Sequence, residues 1–196
     1  MISFLPRTPS TILWAAFWIF WSLMAAGAEK HVAVKEPLIN RLRLLIFEGG
    51  AFAALLLPTS AYNPRLLTGQ FWMPIGLGIQ LLGMALSVWA RFHLGRYWSG
   101  SVAVKTGHEV VRTGPYSLVR HPIYTGLIIQ MLGSSLTFGN IFAFISTFIL
   151  YLGFKIKATD EESMLRTHLG EEYAQYARTT PALLPRGPFQ RPRQLT

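Results

Sequence analysis

The run Gly107 to Gly126, GHEVVRTGPYSLVRHPIYTG, carries two histidines, two tyrosines, two arginines, a glutamate and two prolines in twenty residues. Apolar segments flank it on both sides, so a run this polar reads as a shaped site rather than a connector. Turn signals divide it at Gly107, at Gly114-Pro115 and at His121-Pro122. A residue before proline is pushed out of the α region, and proline suits the first helical position. His121 is therefore expected just ahead of a helix that Pro122 opens. The N–H groups of Ile123, Tyr124 and Thr125 would be free at that start, which favours an anionic or carbonyl-like group. His121 and Tyr124 are close enough in sequence to line one pocket, with Tyr116 joining from the preceding turn. Further on, Glu161 or Glu162 could take an ammonium, and Tyr116 and Tyr124 could stack on a base or face a cation. The ligand these residues ask for carries both charge signs and an aromatic ring.

Other chemistries fit poorly. His108, His121 and His168 with Glu109, Glu161 and Glu162 could supply metal ligands, but no HExxH pair or other tight ligand spacing occurs, and no metal is expected. Asp160 is the only aspartate and there is no GxSxG elbow, which argues against a Ser-His-Asp hydrolase. Neither GxGxxG nor GxxxxGK[ST] is present, so a soluble-type dinucleotide or nucleotide domain is excluded. The chain has no cysteine, hence no disulfide and no thiol nucleophile.

The elements that must position the site are apolar blocks. Ile12–Ala28, Leu44–Ala61, Met73–Trp89, Ile123–Phe138 and Ile141–Ile156 are each nearly uncharged, and the chain is 51% hydrophobic over 196 residues. A helix needs about 20 residues to cross the hydrocarbon core. The first three blocks meet that with their flanks. The last two are shorter, and only Gly139-Asn140 separates them, which predicts a tight helical hairpin. The first block is read as a retained span rather than a cleaved signal peptide, because further spans follow it.

Charge sorts with these blocks. Lys30, Lys35, Arg41 and Arg43 fall between the first and second, and Arg91, Arg96, Lys105, Arg112 and Arg120 between the third and fourth. Lys155, Lys157, Arg166, Arg178, Arg186, Arg191 and Arg193 follow the fifth, leaving Arg7 and Arg65 on the other side. Positive charge stays cytoplasmic, so five spans run from an outer N-terminus to an inner C-terminus. The net charge of +9 is thus a signature of topology and not of nucleic-acid binding. The expected fold is an all-α, polytopic membrane protein with about five transmembrane helices, a C-terminal helical hairpin and a cytosolic tail helix. It forms one domain, divided into spans over 1–90, a cytosolic loop over 91–122, the hairpin over 123–156, a closing tail over 157–185 and a disordered end over 186–196.

Several residues have two readings at this level. Glu48, inside the second block, is either a functional carboxylate within a span or a partner of Arg41 or Arg43. Arg120 is either a loop brace or an acceptor clamp. Gly76, Gly78 and Gly83 let neighbouring helices approach closely in lipid. Tyr97 and Trp98 read as an interfacial belt. In the tail, Leu165, Leu169, Tyr173 and Tyr176 form one stripe, with His168 facing solvent, Glu162 facing solvent or paired locally, and Glu161 facing the pocket.

S-adenosylmethionine meets the ligand requirements, although residue types alone do not single it out. The ordered set GHxxV, GxY, RHPxYxG, hairpin and EExxLxxxxGxxYxxY (Glu161 to Tyr176) resembles the isoprenylcysteine carboxyl methyltransferase family, whose general plan the phospholipid N-methyltransferases share. The resemblance covers about Arg91 to Pro185, and the first two spans carry no motif. It implies an integral-membrane, S-adenosylmethionine-dependent methyltransferase with its site on the cytosolic face and a lipidic or amphipathic acceptor, most simply a carboxylate. Carried over by position, the cofactor contacts are His108, Glu109, Val110, Val111, Tyr116, His121, Pro122, Ile123, Tyr124 and Glu161. The family places an arginine four residues before that glutamate, against the acceptor carboxylate. Lys157 stands there in this chain, with a point charge instead of a bidentate fork. The acceptor is expected to enter from the bilayer between the Gly-bearing third and fourth spans. Alternative functions are amine methylation, reduction by NADPH as in membrane sterol reductases of related arrangement, and small-molecule binding without turnover.

Overall fold

The computed structural model describes residues 8–25, 32–35, 37–57, 64–98, 103–105 and 109–185. Five helices dominate: α1 (Thr8–Ala25), α2 (Leu38–Leu56), α3 (Trp72–Leu94), α4 (Pro122–Phe138) and α5 (Ile141–Thr179). Two short strands, β1 (Val32–Lys35) and β2 (Ala103–Lys105), pair antiparallel. This ribbon is an addition to the all-α expectation. His108 and the residues after 185 lie outside the described residues, as does the end of the second apolar block at 58–61.

Helices α1, α3 with the 3-10 turn that extends it (Gly95–Tyr97), and α5 are long and apolar enough to cross a membrane. Helix α2 carries Arg41, Arg43 and Glu48 in 19 residues, and α4 has 17. Helix α4 is largely buried, whereas α2 keeps Leu38, Ile39, Leu45 and Ile46 exposed. Helix α4 lies against α3 and α5, and α2 against α5. The sequence placed the start of α2 near Leu44. It begins at Leu38 because two arginines do not stop a helix; they only mark where its surface leaves apolar surroundings.

Loop ends group as the charge sorting requires. The strand ribbon joins the α1–α2 connection to the α3–α4 connection. At the other end, Leu66 and Leu67 donate backbone N–H bonds to Gly139 O (2.6 and 3.0 Å), and Ile141 N donates to Pro64 O (3.3 Å). Those bonds tie the α2–α3 and α4–α5 connections together. The predicted hairpin turns at Gly139, whose φ of 65° is left-handed, and Asn140 caps α5 by accepting from Ala143 N at 2.9 Å.

Helices α3 and α4 meet along a glycine seam. A methyl built on Gly76 would stand 2.5 Å from Gly133 O, and one on Gly83 2.5 Å from Gly126 O. Gly78, also expected to serve close approach, faces open space. The backbones touch because no side chain separates them, which is how apolar helices gain association energy in lipid. Polar ties join the same interior. Ser10 and Trp14 of α1 donate to Ser134 Oγ (3.1 and 2.8 Å), and Gln80 Nε2 donates to Ser10 O at 3.0 Å. Gly133→Leu is expected to force the seam open at a cost of about 1–3 kcal/mol. Gly78→Leu should leave the unfolding midpoint in detergent nearly unchanged. Equal losses in the two variants would contradict the seam.

Helix α5 runs for 39 residues and breaks at Gly170, where φ is 57° and ψ −133°. The sequence reading put the join between hairpin and tail at Ile156/Lys157. No helix breaker lies there, so the helix passes through it and carries the tail residues on the same rod. Against it, Phe47 of α2 fills the notch at Gly153, and Arg43 meets Asp160 at 3.5 Å.

Candidate functional site

A cavity of about 560 Å³ opens where the strand-ribbon ends of the helices meet the loop and tail. Its polar wall begins with the loop after β2, from which Glu109, Val110, Val111 and Tyr116 face inward. That loop is held by Gly114, which adopts φ 58° and leaves room for the His93 ring where a side chain would stand. His93 Nε2 meets Thr113 Oγ1 at 2.8 Å, and its ring stacks on Tyr116 at 6.3 Å between centroids. Burial pushes the Tyr116 hydroxyl well above the usual phenol range, with the Glu161 carboxylate adding to it. Tyr116 therefore stays neutral and acts as a wall and donor rather than a base.

The start of α4 supplies the next wall. His121 is buried ahead of Pro122, with φ −123° and ψ 62°, and the helix start has no side-chain cap. Ile123 and Tyr124 line the cavity, as His121 does, whereas Pro122 is buried behind them and does not. The Tyr124 ring stacks on His121 (5.4 Å, 7°) and on Phe154 (4.9 Å, 7°). Lys157 Nζ lies 5.2 Å from its centroid, so the ring is engaged within the protein. Its hydroxyl donates to Glu161 Oε2 at 2.8 Å, which aims that carboxylate along the cavity wall.

The two tail carboxylates have different surroundings. Glu161 is partly exposed and lines the cavity, while Glu162 is packed beneath it. Arg120 Nε and Nη2 donate to Glu162 Oε1 at 2.8 and 2.6 Å, and His121 Nε2 is 3.1 Å from the same oxygen. Arg120 Nη1 also donates to Ala177 O (2.9 Å) and to Thr180 O. Of its two readings, Arg120 is the brace. Glu162, expected in solvent or in a local pair, is instead drawn inward by the two-pronged guanidinium of Arg120. Nothing in the local EE pattern distinguishes the two glutamates from their partners forty residues away. His168 is exposed and bonded to its own helix through Met164 O.

The tail closes over the loop through the backbone as well. Arg120 N and His121 N donate to Pro181 O and Ala182 O (2.8 and 3.0 Å), Thr125 Oγ1 donates to Leu183 O at 2.6 Å, and Tyr176 Oη to Tyr116 O at 2.6 Å. Leu165, Leu169, Tyr173 and Tyr176, the stripe read from the sequence, all face the cavity.

The apolar wall was not legible in any motif. Trp18 and Trp21 of α1 and Leu38, Leu42 and Leu45 of α2 form it. The glycines of α3 and α4, between which the acceptor was expected to enter, hold that seam closed, and the apolar lining of the cavity extends along α1 and α2. Lys157, Arg41 and Glu48 stand among the lining residues together with both the polar and the apolar groups.

Fold and site define an all-α membrane protein whose pocket is walled by its own loop, helix start and folded-back tail. The sequence model of the isoprenylcysteine carboxyl methyltransferase (ICMT) family matches residues 76–167, and the chain belongs to that family. The protein-S-isoprenylcysteine O-methyltransferase of Schizosaccharomyces pombe is 31% identical over 158 residues, 76% of this chain. The chain spans 64% of that relative's length. A probable protein-S-isoprenylcysteine O-methyltransferase of Oryza sativa subsp. indica is 28% identical over 82% of this chain and 85% of its own length. The cobalt-zinc-cadmium resistance protein CzcN of Cupriavidus metallidurans is 31% identical over 60% of this chain and 53% of its own.

Proposed function

We propose that the protein is an S-adenosylmethionine-dependent methyltransferase acting on the anionic head of a lipidic or amphipathic acceptor, with its site facing the cytosol. The observation that carries this reading is one continuous cavity with a polar wall, an apolar wall, and Lys157 lining it with both. Its volume lies within the roughly 300–1,000 Å³ of small-molecule sites. The donor set suits the cofactor. Glu161 offers a carboxylate to an ammonium, the uncapped start of α4 favours a carboxylate, and Tyr116, Val110, Val111 and Ile123 give aromatic and apolar surface. Glu109, His121 and Tyr124 complete the wall, and His108 belongs to the same proposed set by position in the family motif. When bound, S-adenosylmethionine supplies an electrophilic methyl carbon on its sulfonium.

The chain's own residues then have limited work to do. A carboxylate acceptor is already nucleophilic at neutral pH, so no side chain has to remove a proton. Lys157 gives that acceptor a point charge to align on, and the tail excludes water from the loop. Alignment and desolvation account for catalysis of this kind. The cytosolic assignment rests on the basic residues of the ribbon, loop and tail gathering at one end.

Isothermal calorimetry of the detergent-purified protein tests the reading. S-adenosylmethionine and its demethylated product are expected to bind, and NADPH is not. Binding of NADPH alone would replace the reading with a reductase.

A further inference from the structure

Glu48 has no part in the reaction proposed above, and it precedes the family match, which begins at residue 76. It lines the cavity from α2. It pairs with neither Arg41 nor Arg43; the latter turns to Asp160 and to Asn40. Among the described residues it accepts no hydrogen bond, and Lys157 is a cation lining the same cavity from α5. Lys157 for its part has the Tyr124 ring but no carboxylate within ion-pair distance among those residues. A carboxylate without a hydrogen-bonded partner in a cavity whose lining includes Leu45 and Trp21 is costly to keep unless an opposite charge arrives with the ligand.

The two charges select what enters. A simple anion drawn to Lys157 meets repulsion from Glu48, and a simple cation meets the reverse. A head carrying both signs satisfies both, while an alkyl tail continues into the wall of Trp18, Trp21, Leu38 and Leu42. We propose that Glu48 and Lys157 together receive a zwitterionic amphiphile, an ammonium at Glu48 and a carboxylate or phosphate at Lys157. The proposal rests on the acceptor role given to Lys157 and names the head group of that acceptor.

Calorimetry without cofactor tests it on the full chain, using 2-aminotetradecanoic acid, its N-acetyl derivative and myristoyl lysophosphatidylethanolamine as probes. The free amino acid is expected to bind about tenfold tighter than the N-acetyl form. Glu48→Gln should erase that preference, and Lys157→Ala should weaken both probes. If the wild type binds the two equally, binds neither, or keeps its preference in Glu48→Gln, the proposal falls. The lysophospholipid separates the sources of the head: tighter binding than the amino acid assigns the anion as phosphate, weaker binding as carboxylate. A wild-type circular dichroism spectrum and unfolding midpoint in detergent show that Glu48→Gln is folded. No methyl is transferred in these measurements, so a separate lack of methylation would sink the transferase reading while leaving the head-group preference intact.

Discussion

Arg120→Ala is expected to release the C-terminal segment from the loop and to cost about 3–5 kcal/mol of stability, the loss typical when one partner of a buried ion pair is removed. The guanidinium holds Glu162 by two nitrogens and the carbonyls of Ala177 and Thr180 by a third. Both side chains are little exposed, 11% and 13%, so water does not replace what is lost. Glu162 would keep only His121 and the long contact from Arg166, and the backbone bonds from Arg120 and His121 to Pro181 and Ala182 would lose their support. Arg120→Lys should recover little, because an ammonium cannot serve a carboxylate and two carbonyls in one plane. Arg166→Ala provides the contrast. Its contact with Glu162 is long, 3.9 Å, and half exposed, so its loss should fall within about 0.5 kcal/mol. Thermal unfolding and the rate of tryptic cleavage at Arg178 read the difference. A wild-type midpoint and a protected tail in Arg120→Ala would show that the brace holds nothing.

Glu161→Ala is expected to weaken S-adenosylmethionine binding by more than about tenfold, or at least ~1.4 kcal/mol. The carboxylate is aimed by the Tyr124 hydroxyl and lies 3.6 Å from His121 Nδ1. Charge and placement can be separated. Glu161→Gln removes the charge while still accepting the hydroxyl, and Tyr124→Phe removes the aim while leaving the charge. The glutamine variant should bind nearly as poorly as alanine, and the phenylalanine variant should lie between alanine and wild type. If Glu161→Gln binds like the wild type, the carboxylate charge plays no part and the ligand's cationic group lies elsewhere.

The architecture was legible where it depends on local chemistry. His121-Pro122 gives the start of α4, Gly139-Asn140 gives the hairpin, and the arginines and lysines tell which loops share an end. Each of these is a backbone or charge rule acting over a few residues. The continuous passage of α5 through Lys157 was missed because a change from apolar to charged composition looks like a boundary, although helical hydrogen bonds are indifferent to it. The cavity's apolar wall was hidden for a different reason. Trp18, Trp21, Leu42 and Leu45 look like any lipid-facing residues, and only the placement of α1 and α2 in the fold makes them line the cavity. The fates of Glu161 and Glu162 likewise depend on Tyr124 and Arg120, about forty positions away. Within the loop, the residues of the His121–Tyr124 segment were placed by rules of sequence; their partners were not.

Because α5 is uninterrupted between Lys157 and Glu161, the anchors proposed for acceptor and cofactor are fixed to one ruler. Four residues of α-helix set them about 6 Å apart along the axis, and backbone hydrogen bonds keep that gauge whatever the surrounding side chains do. Reshaping the apolar wall on α1 and α2 can therefore change which tail is admitted without altering where the head stands relative to the methyl donor. A chain built this way can vary its acceptor through its first two helices and keep its chemistry in register.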